Sequence, residues 1–196
     1  LDCNCNADHV NHLQKLADSL KVNLKTHWQK DSFNPNKTFE YCILTCCDSF
    51  YGPKITNKFN LTSKPKTYNP PSSLTFPNGK FFLAFLIGLI DGDGTFSKHN
   101  GQANFIRLEV HNSWLNLFQD FEKQLNVLNI SNTRTGTNSR GYCYLKIYKH
   151  QNLDFMKSFA IAHHFPLLER KWNSVDTDRI MKKKVSLNDL DEKLFL

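Results

Sequence analysis

Apolar positions along the chain alternate between helical and strand periods. Val10, Leu13, Leu16, Ala17 and Leu20 follow helical spacing within residues 7–22, and Asn6 or Asp8 can cap that helix. Two strand-like runs follow at 24–29 and 39–46, joined by the turn-rich DSFNPNK. The polar, proline-containing TYNPPSSLTFPNG at 67–79 resists regular structure and suits a connection between domains. Next comes an apolar run, FFLAFLIGLI at 81–90, ending in Asp91-Gly92-Asp93-Gly94. It is too short for a bilayer, which takes ~20 residues, and predicts a buried core helix. Strands are then expected at 95–98 and 103–111 around His99-Asn100-Gly101. A helix at 113–126 has Leu115, Phe118, Phe121 and Leu125 on its apolar face. Strands at 130–133 and 142–148 pair across TGTNSRG, a helix spans 153–163, and FPLLERK leads into a last helix at 172–184.

The two halves repeat this order. Val10, Leu13, Leu16, Leu20 and Val22 match Leu115, Phe118, Phe121, Leu125 and Val127 at a constant offset. Ile43 matches Leu145, and the block at 59–64 matches that at 165–170. Residues 1–66 therefore read as the latter part of a first repeat, 67–79 as a linker and 80–196 as a complete second repeat. The first repeat lacks a counterpart of the apolar helix and its first hairpin.

That helix carries an unusual edge. Ala84, Gly88 and Gly92 fall four apart, a smooth stripe along which a second helix can approach almost backbone to backbone. Phe82, Phe85 and Leu89 face other directions and suit a core. Asp93 falls at the helix C-terminus, where the macrodipole opposes an anion. A carboxylate held there calls for a partner, and a divalent cation fits. Asp91 reads as structural.

The segment Leu86-Ile87-Gly88-Leu89-Ile90-Asp91-Gly92-Asp93-Gly94 resembles the LAGLIDADG motif of homing endonucleases and intron maturases. Ile87 and Gly92 stand where that motif has alanines; the other positions match. The resemblance implies an α+β fold, an αββαββα repeat whose saddle-shaped antiparallel sheet lies in the major groove of a long DNA site. It implies Mg2+ or another divalent ion on Asp93 and the Gly92 carbonyl. The second carboxylate would come from a counterpart helix, supplied by a missing N-terminal segment, a separate chain or a homodimer mate. It also implies a basic residue in a P-L-x-x-K-like segment. Arg170, in register with Lys64 of the first repeat, and Lys171 are the alternatives. Asn112, or His111, takes the place of a water-ordering polar residue. The activity implied is an intron-encoded, sequence-specific double-strand DNA endonuclease. A maturase that binds intron RNA, or a non-cleaving DNA-binding protein, are the alternatives.

Strand alternation locates the surface that such a partner would meet. Ile106, Leu108 and Val110 point to the helices, and Arg107, Glu109 and His111 point away. Cys143, Leu145 and Ile147 point inward, and Tyr142, Tyr144, Lys146 and Tyr148 outward. With Ser97, Ser131, Thr133 and Arg134, these outward residues form a face suited to reading base edges. Lys98, His99, Asn138 and Arg140 lie near hairpin ends, within reach of backbone; Lys25, His27, Gln29 and Tyr41 are weaker candidates from the first repeat.

Net charge is +7 and the pI about 9.1, which fits a polyanionic partner. Cys3, Cys5, Cys42, Cys46, Cys47 and Cys143 make no CxxC pair. Reduced thiols in an intracellular protein are favoured over a zinc site from Cys3, Cys5, Cys46 and Cys47, and the sequons at Asn36, Asn60 and Asn129 are then idle. No signal peptide or membrane span is read, and a start at Leu1 suits a processed chain or part of a longer product. Richness in Asn, Lys and Phe points to an AT-rich genome such as that of a mitochondrion or chloroplast.

Overall fold

The computed structural model describes residues 2–4, 7–20, 24–30, 38–44, 57, 70–71 and 74–175. The first elements are β1 (Asp2–Asn4), α1 (Ala7–Leu20), β2 (Leu24–Lys30) and β3 (Thr38–Leu44). β3 pairs antiparallel with both other strands, in the order β1-β3-β2. Leu13 and Ala17 of α1 are buried, as their spacing predicts. β1 has no forerunner in the sequence pattern, because three residues are too few to display alternation.

The apolar run forms α2 (Gly79–Asp93). Asn78 is extended and caps it, its Oδ1 accepting from the backbone N–H of Lys80 at 3.1 Å and Phe81 at 3.2 Å. Phe82, Leu83, Leu86, Ile87 and Ile90 are buried. Leu74 and Phe76, at the end of the proline-containing stretch, join the same core, and the Phe76 ring sits 5.5 Å from Phe82 and 5.3 Å from Phe85.

After α2 come β4 (Thr95–His99), β5 (Gln102–His111), a 3-10 turn (Asn112–Trp114), α3 (Leu115–Val127), β6 (Thr133–Thr137), β7 (Tyr142–Tyr148), α4 (His150–Ala162) and α5 (Glu169–Trp172). From α2 to α4 this is the αββαββα order. The strands form an antiparallel sheet, β4-β5-β7-β6. Asn100 (φ 49°) and Gly101 (φ 79°) supply the left-handed pair that a two-residue hairpin turn requires. A register shift pairs Ser97 with Phe105 but Lys98 with Ala103, so Asn104 is the extra residue of a bulge. Ala103 is thereby turned into the core. Helices α2, α3 and α4 pack on the face that presents Ile106, Leu108, Cys143, Leu145 and Ile147, all buried. Full burial of a Phe such as Phe121 or Phe159 contributes roughly 1.5–3 kcal/mol.

Three boundaries differ from the sequence pattern. The strand expected at 130–133 begins at Thr133 and runs through Gly136, a residue that reads as a turn. α4 begins three residues early, at His150. α5 ends at Trp172 rather than starting there, because Leu168 opens it and Asn173 and Ser174 lie in a turn. Residues 176–184 of the expected last helix lie outside the described residues. Among the described residues, no helix is long and apolar enough to cross a membrane.

Candidate metal and nucleic-acid site

The two carboxylates at the end of α2 have different surroundings. Asp91 is 7% exposed. Its Oδ1 accepts from Trp172 Nε1 at 2.6 Å and its Oδ2 from the Leu168 N–H at 3.0 Å. His12 of α1 stands 3.9 Å away, too far for a hydrogen bond, and its Nδ1 is shielded from solvent with no hydrogen-bond partner among the described residues. Burial pushes the Asp91 pKa up; the bonds from Trp172 and Leu168, then the charges of His12 and Lys171, pull it back. Asp93, the last residue of α2, is exposed. Gly94 turns the chain into β4 with its N–H 2.9 Å from the Ile90 carbonyl oxygen.

Arg170 and Lys171 are adjacent in α5 and differ as sharply. Lys171 is 9% exposed, and its Nζ lies 2.9 Å from the Ile90 carbonyl oxygen, 2.7 Å from that of Asp91 and 3.5 Å from that of Gly92. An ammonium on the C-terminal carbonyls of α2 complements the helix dipole. Burial holds the Lys171 pKa below the ordinary lysine value, Arg170 adds to that, and Asp91 and Asp93 oppose it. Arg170 is exposed. Lys64, their first-repeat counterpart, lies outside the described residues.

Asp93 and the Gly92 carbonyl are oxygen donors of the kind a hard divalent ion takes. They form half a coordination shell: among the described residues, no three His, Cys, Asp or Glu side chains gather into a metal site. The cysteines of the conceivable zinc site lie outside the residues whose side chains are described. Beside this half-site the edge of α2 is bare. Gly88 and Gly92 are exposed, a Cβ at either would meet nothing within 4 Å, and Phe81 is 60% exposed. Ala84 is half-buried.

Register fixes the open face of the four-stranded sheet. Thr95 pairs with Arg107, Arg107 with Lys146 and Lys146 with Arg134, one row across all four strands. The next rows hold Glu109, Tyr144 and Gly136, then His111 and Tyr142. On the same face, in the row flanking Arg107 on the side away from Glu109, Ser97 pairs with Phe105 and Phe105 with Tyr148. Like charges directly opposite one another repel. The face tempers this with rings: Arg107 lies 5.2 Å from the Tyr144 ring centroid, and Lys146 lies 5.2 Å from that of Tyr144 and 5.3 Å from that of Phe105.

Not every expected face residue is there. Thr133 pairs with Ile147 and so lies on the helix side, where its hydroxyl donates to Glu122 of α3 at 3.3 Å. Ser131 precedes β6 and is exposed off the strand. His99 and Arg140 sit at the two hairpin tips, both exposed. Asn112 opens the 3-10 turn and is exposed, while His111 Nδ1 accepts the Ser113 N–H at 3.3 Å. The sequence pattern did not signal Trp172, the Leu168 N–H or His12 around Asp91. Gly136 lies beneath Tyr144, and a glycine inside a strand is the signal for that close approach.

Residues 80–158 match the family model described as LAGLIDADG-like domain. Among solved structures, the meganuclease I-SmaMI bound to uncleavable DNA with a TTGT central four is similar to this chain with a TM-score of 0.50 at 13% identity. That likeness covers 89% of this chain and 74% of the meganuclease. The complex of I-SmaMI with a TTCT central four gives a TM-score of 0.47 at 14% identity, over 88% and 74% of the respective chains. No curated protein matches significantly. The Asp-Gly-Asp-Gly helix end, the αββαββα order and the family-model match agree that residues 80–158 are similar to a LAGLIDADG-like domain.

Proposed function

We propose that this chain is part of a sequence-specific, metal-dependent double-strand DNA endonuclease. The observation that carries the reading is the placement of Asp93, an exposed carboxylate ending a helix whose edge is bare beside it. Asp93 and the Gly92 carbonyl would hold one side of a divalent ion such as Mg2+, and a counterpart helix seated on Ala84, Gly88 and Gly92 would bring the second acid. When bound, the ion supplies Lewis-acid polarisation of the scissile phosphodiester. Lys171 fixes the last turn of α2, Arg170 offers an exposed cation nearby for the developing phosphate charge, and Asn112 is the polar side chain for ordering water. The sheet face holds the duplex, with Arg107, Lys146 and Arg134 in its central row. Residues 1–66 are read as the end of a first repeat, 67–79 as the linker and 80–196 as the second repeat. The small sheet supports this: its β1-β3-β2 order has the same pairing pattern as β5-β7-β6.

The test is selection of bound duplexes from a randomised library, followed by cleavage of the selected target in Mg2+ or EDTA. Cleavage is expected to need Mg2+, and Asp93→Asn to lower it more than about a hundredfold while binding persists. Equal cleavage by Asp93→Asn would remove that residue from the mechanism. Tight binding of intron RNA with no DNA cut would replace the endonuclease by a splicing factor.

A further inference from the structure

Arg107 is the most constrained cation on the open sheet face. It projects from β5, an inner strand, with the Tyr144 ring beneath its guanidinium. That ring is pressed onto β6: a Cβ at Gly136 would lie 2.7 Å from the Tyr144 hydroxyl oxygen. Arg107 Nη2 is bonded to Glu109 Oε2, and Glu109 Oε1 accepts from Asn138 Nδ2 at 2.8 Å. Asn138 is fixed in turn, its Oδ1 accepting from the backbone N–H of Arg140 at 2.9 Å and of Tyr142 at 3.2 Å. The β6–β7 turn thus holds Asn138, which holds Glu109, which holds the guanidinium.

Glu109 is the one carboxylate among the described outward residues of this sheet. It does two things to Arg107. It fixes the plane of the fork, so less side-chain freedom is lost on binding. It also places an anion where an approaching phosphate would be repelled more strongly than a neutral acceptor. A guanidinium has five N–H donors, and those not taken by Glu109 match O6 and N7 of guanine in the major groove. Arg134 lies in the same row on the edge strand β6, is exposed, and suits a phosphate.

We propose that Arg107 reads one guanine of the DNA target and that Glu109, held by Asn138, is its positioning residue. This rests on the DNA-binding reading above. The experiment is selection from a randomised duplex library by the wild-type chain and by Arg107→Lys, Arg107→Gln and Glu109→Gln, with melting temperatures recorded alongside. The wild type is expected to select one G·C pair that Arg107→Gln no longer selects and that Arg107→Lys selects less strongly, since an ammonium still donates to guanine but lacks the planar fork. Discrimination at that pair should fall roughly 5- to 150-fold, with neighbouring positions unchanged. Arg107→Lys keeps the charge and loses the planar fork, so it should retain overall affinity. Glu109→Gln should blur the same pair and strengthen non-specific binding, a combination that simple loss of folding does not give. A uniform affinity loss at all positions, or an unchanged G·C preference in Arg107→Gln, overturns the proposal. A wild-type chain that binds duplex with no sequence preference overturns this proposal while leaving a DNA-binding role, and one that binds no duplex overturns both.

Discussion

Asp91 and Asp93 show how much two residues of helix change the meaning of a carboxylate. Asp91 faces inward and is consumed by Trp172 and Leu168; Asp93 ends the helix in solvent. Replacing Asp91 by alanine leaves a buried indole N–H and a backbone N–H without their acceptor and removes an attractive charge near the buried Lys171. Asp91→Ala is therefore expected to cost about 3–5 kcal/mol. Asp91→Asn keeps one acceptor and should cost about 1–3 kcal/mol. Urea unfolding of both variants measures this. The sign of the pH effect follows from the raised pKa. Between 3.8 and the raised folded value, the unfolded chain has released a proton that the folded chain still holds. Stability contributed by this site therefore falls as pH rises through that window, and Asp91→Asn should remove the slope.

At the scale of elements, α2 keeps three glycines near its end for different reasons. Gly94 has no room: a Cβ there would lie 2.6 Å from the Ile90 carbonyl oxygen. Gly94→Ala should destabilise by about 1–3 kcal/mol. Gly88 has room to spare, and Gly88→Ala should raise the stability of this chain alone by up to about 1 kcal/mol through helix propensity. The same change should weaken cleavage if the bare edge seats a second helix. Melting curves beside a cleavage assay separate the two effects. Period and spacing made α2, α3 and most strands legible, because each buries one face. Gly136 misled because a glycine inside a strand resembles one in a turn, and the Tyr144 ring that explains it comes from the neighbouring strand. Trp172 misled in the same way: its partner Asp91 is far off in sequence, and no local pattern encodes such a bond. Thr133 faces the helices because it lies opposite the buried Ile147, a register that alternation within one strand does not fix.

For the molecule as a whole, the charge of +7 and the cross-strand row of Arg107, Lys146 and Arg134 make binding to a polyanion dependent on salt. Arg134→Gln should weaken binding to all duplexes alike and reduce the slope of log affinity against log salt by about one. A titration at several KCl concentrations checks it. The basic balance was readable from composition. The arrangement of the row was not, since it depends on register between strands far apart in sequence.

The bulge at Asn104 bears on how this surface can diversify. It lets Ala103 turn to the core while Phe105, two positions on, faces out. Because Asn104 is the residue without a cross-strand partner, deleting it would restore an unbroken ladder, with Ala103 still opposite Lys98 and facing the core. A one-residue change elsewhere along β5 would turn the side chains beyond it to the wrong faces, so this hairpin can shed a residue without inverting its surface only at the bulge.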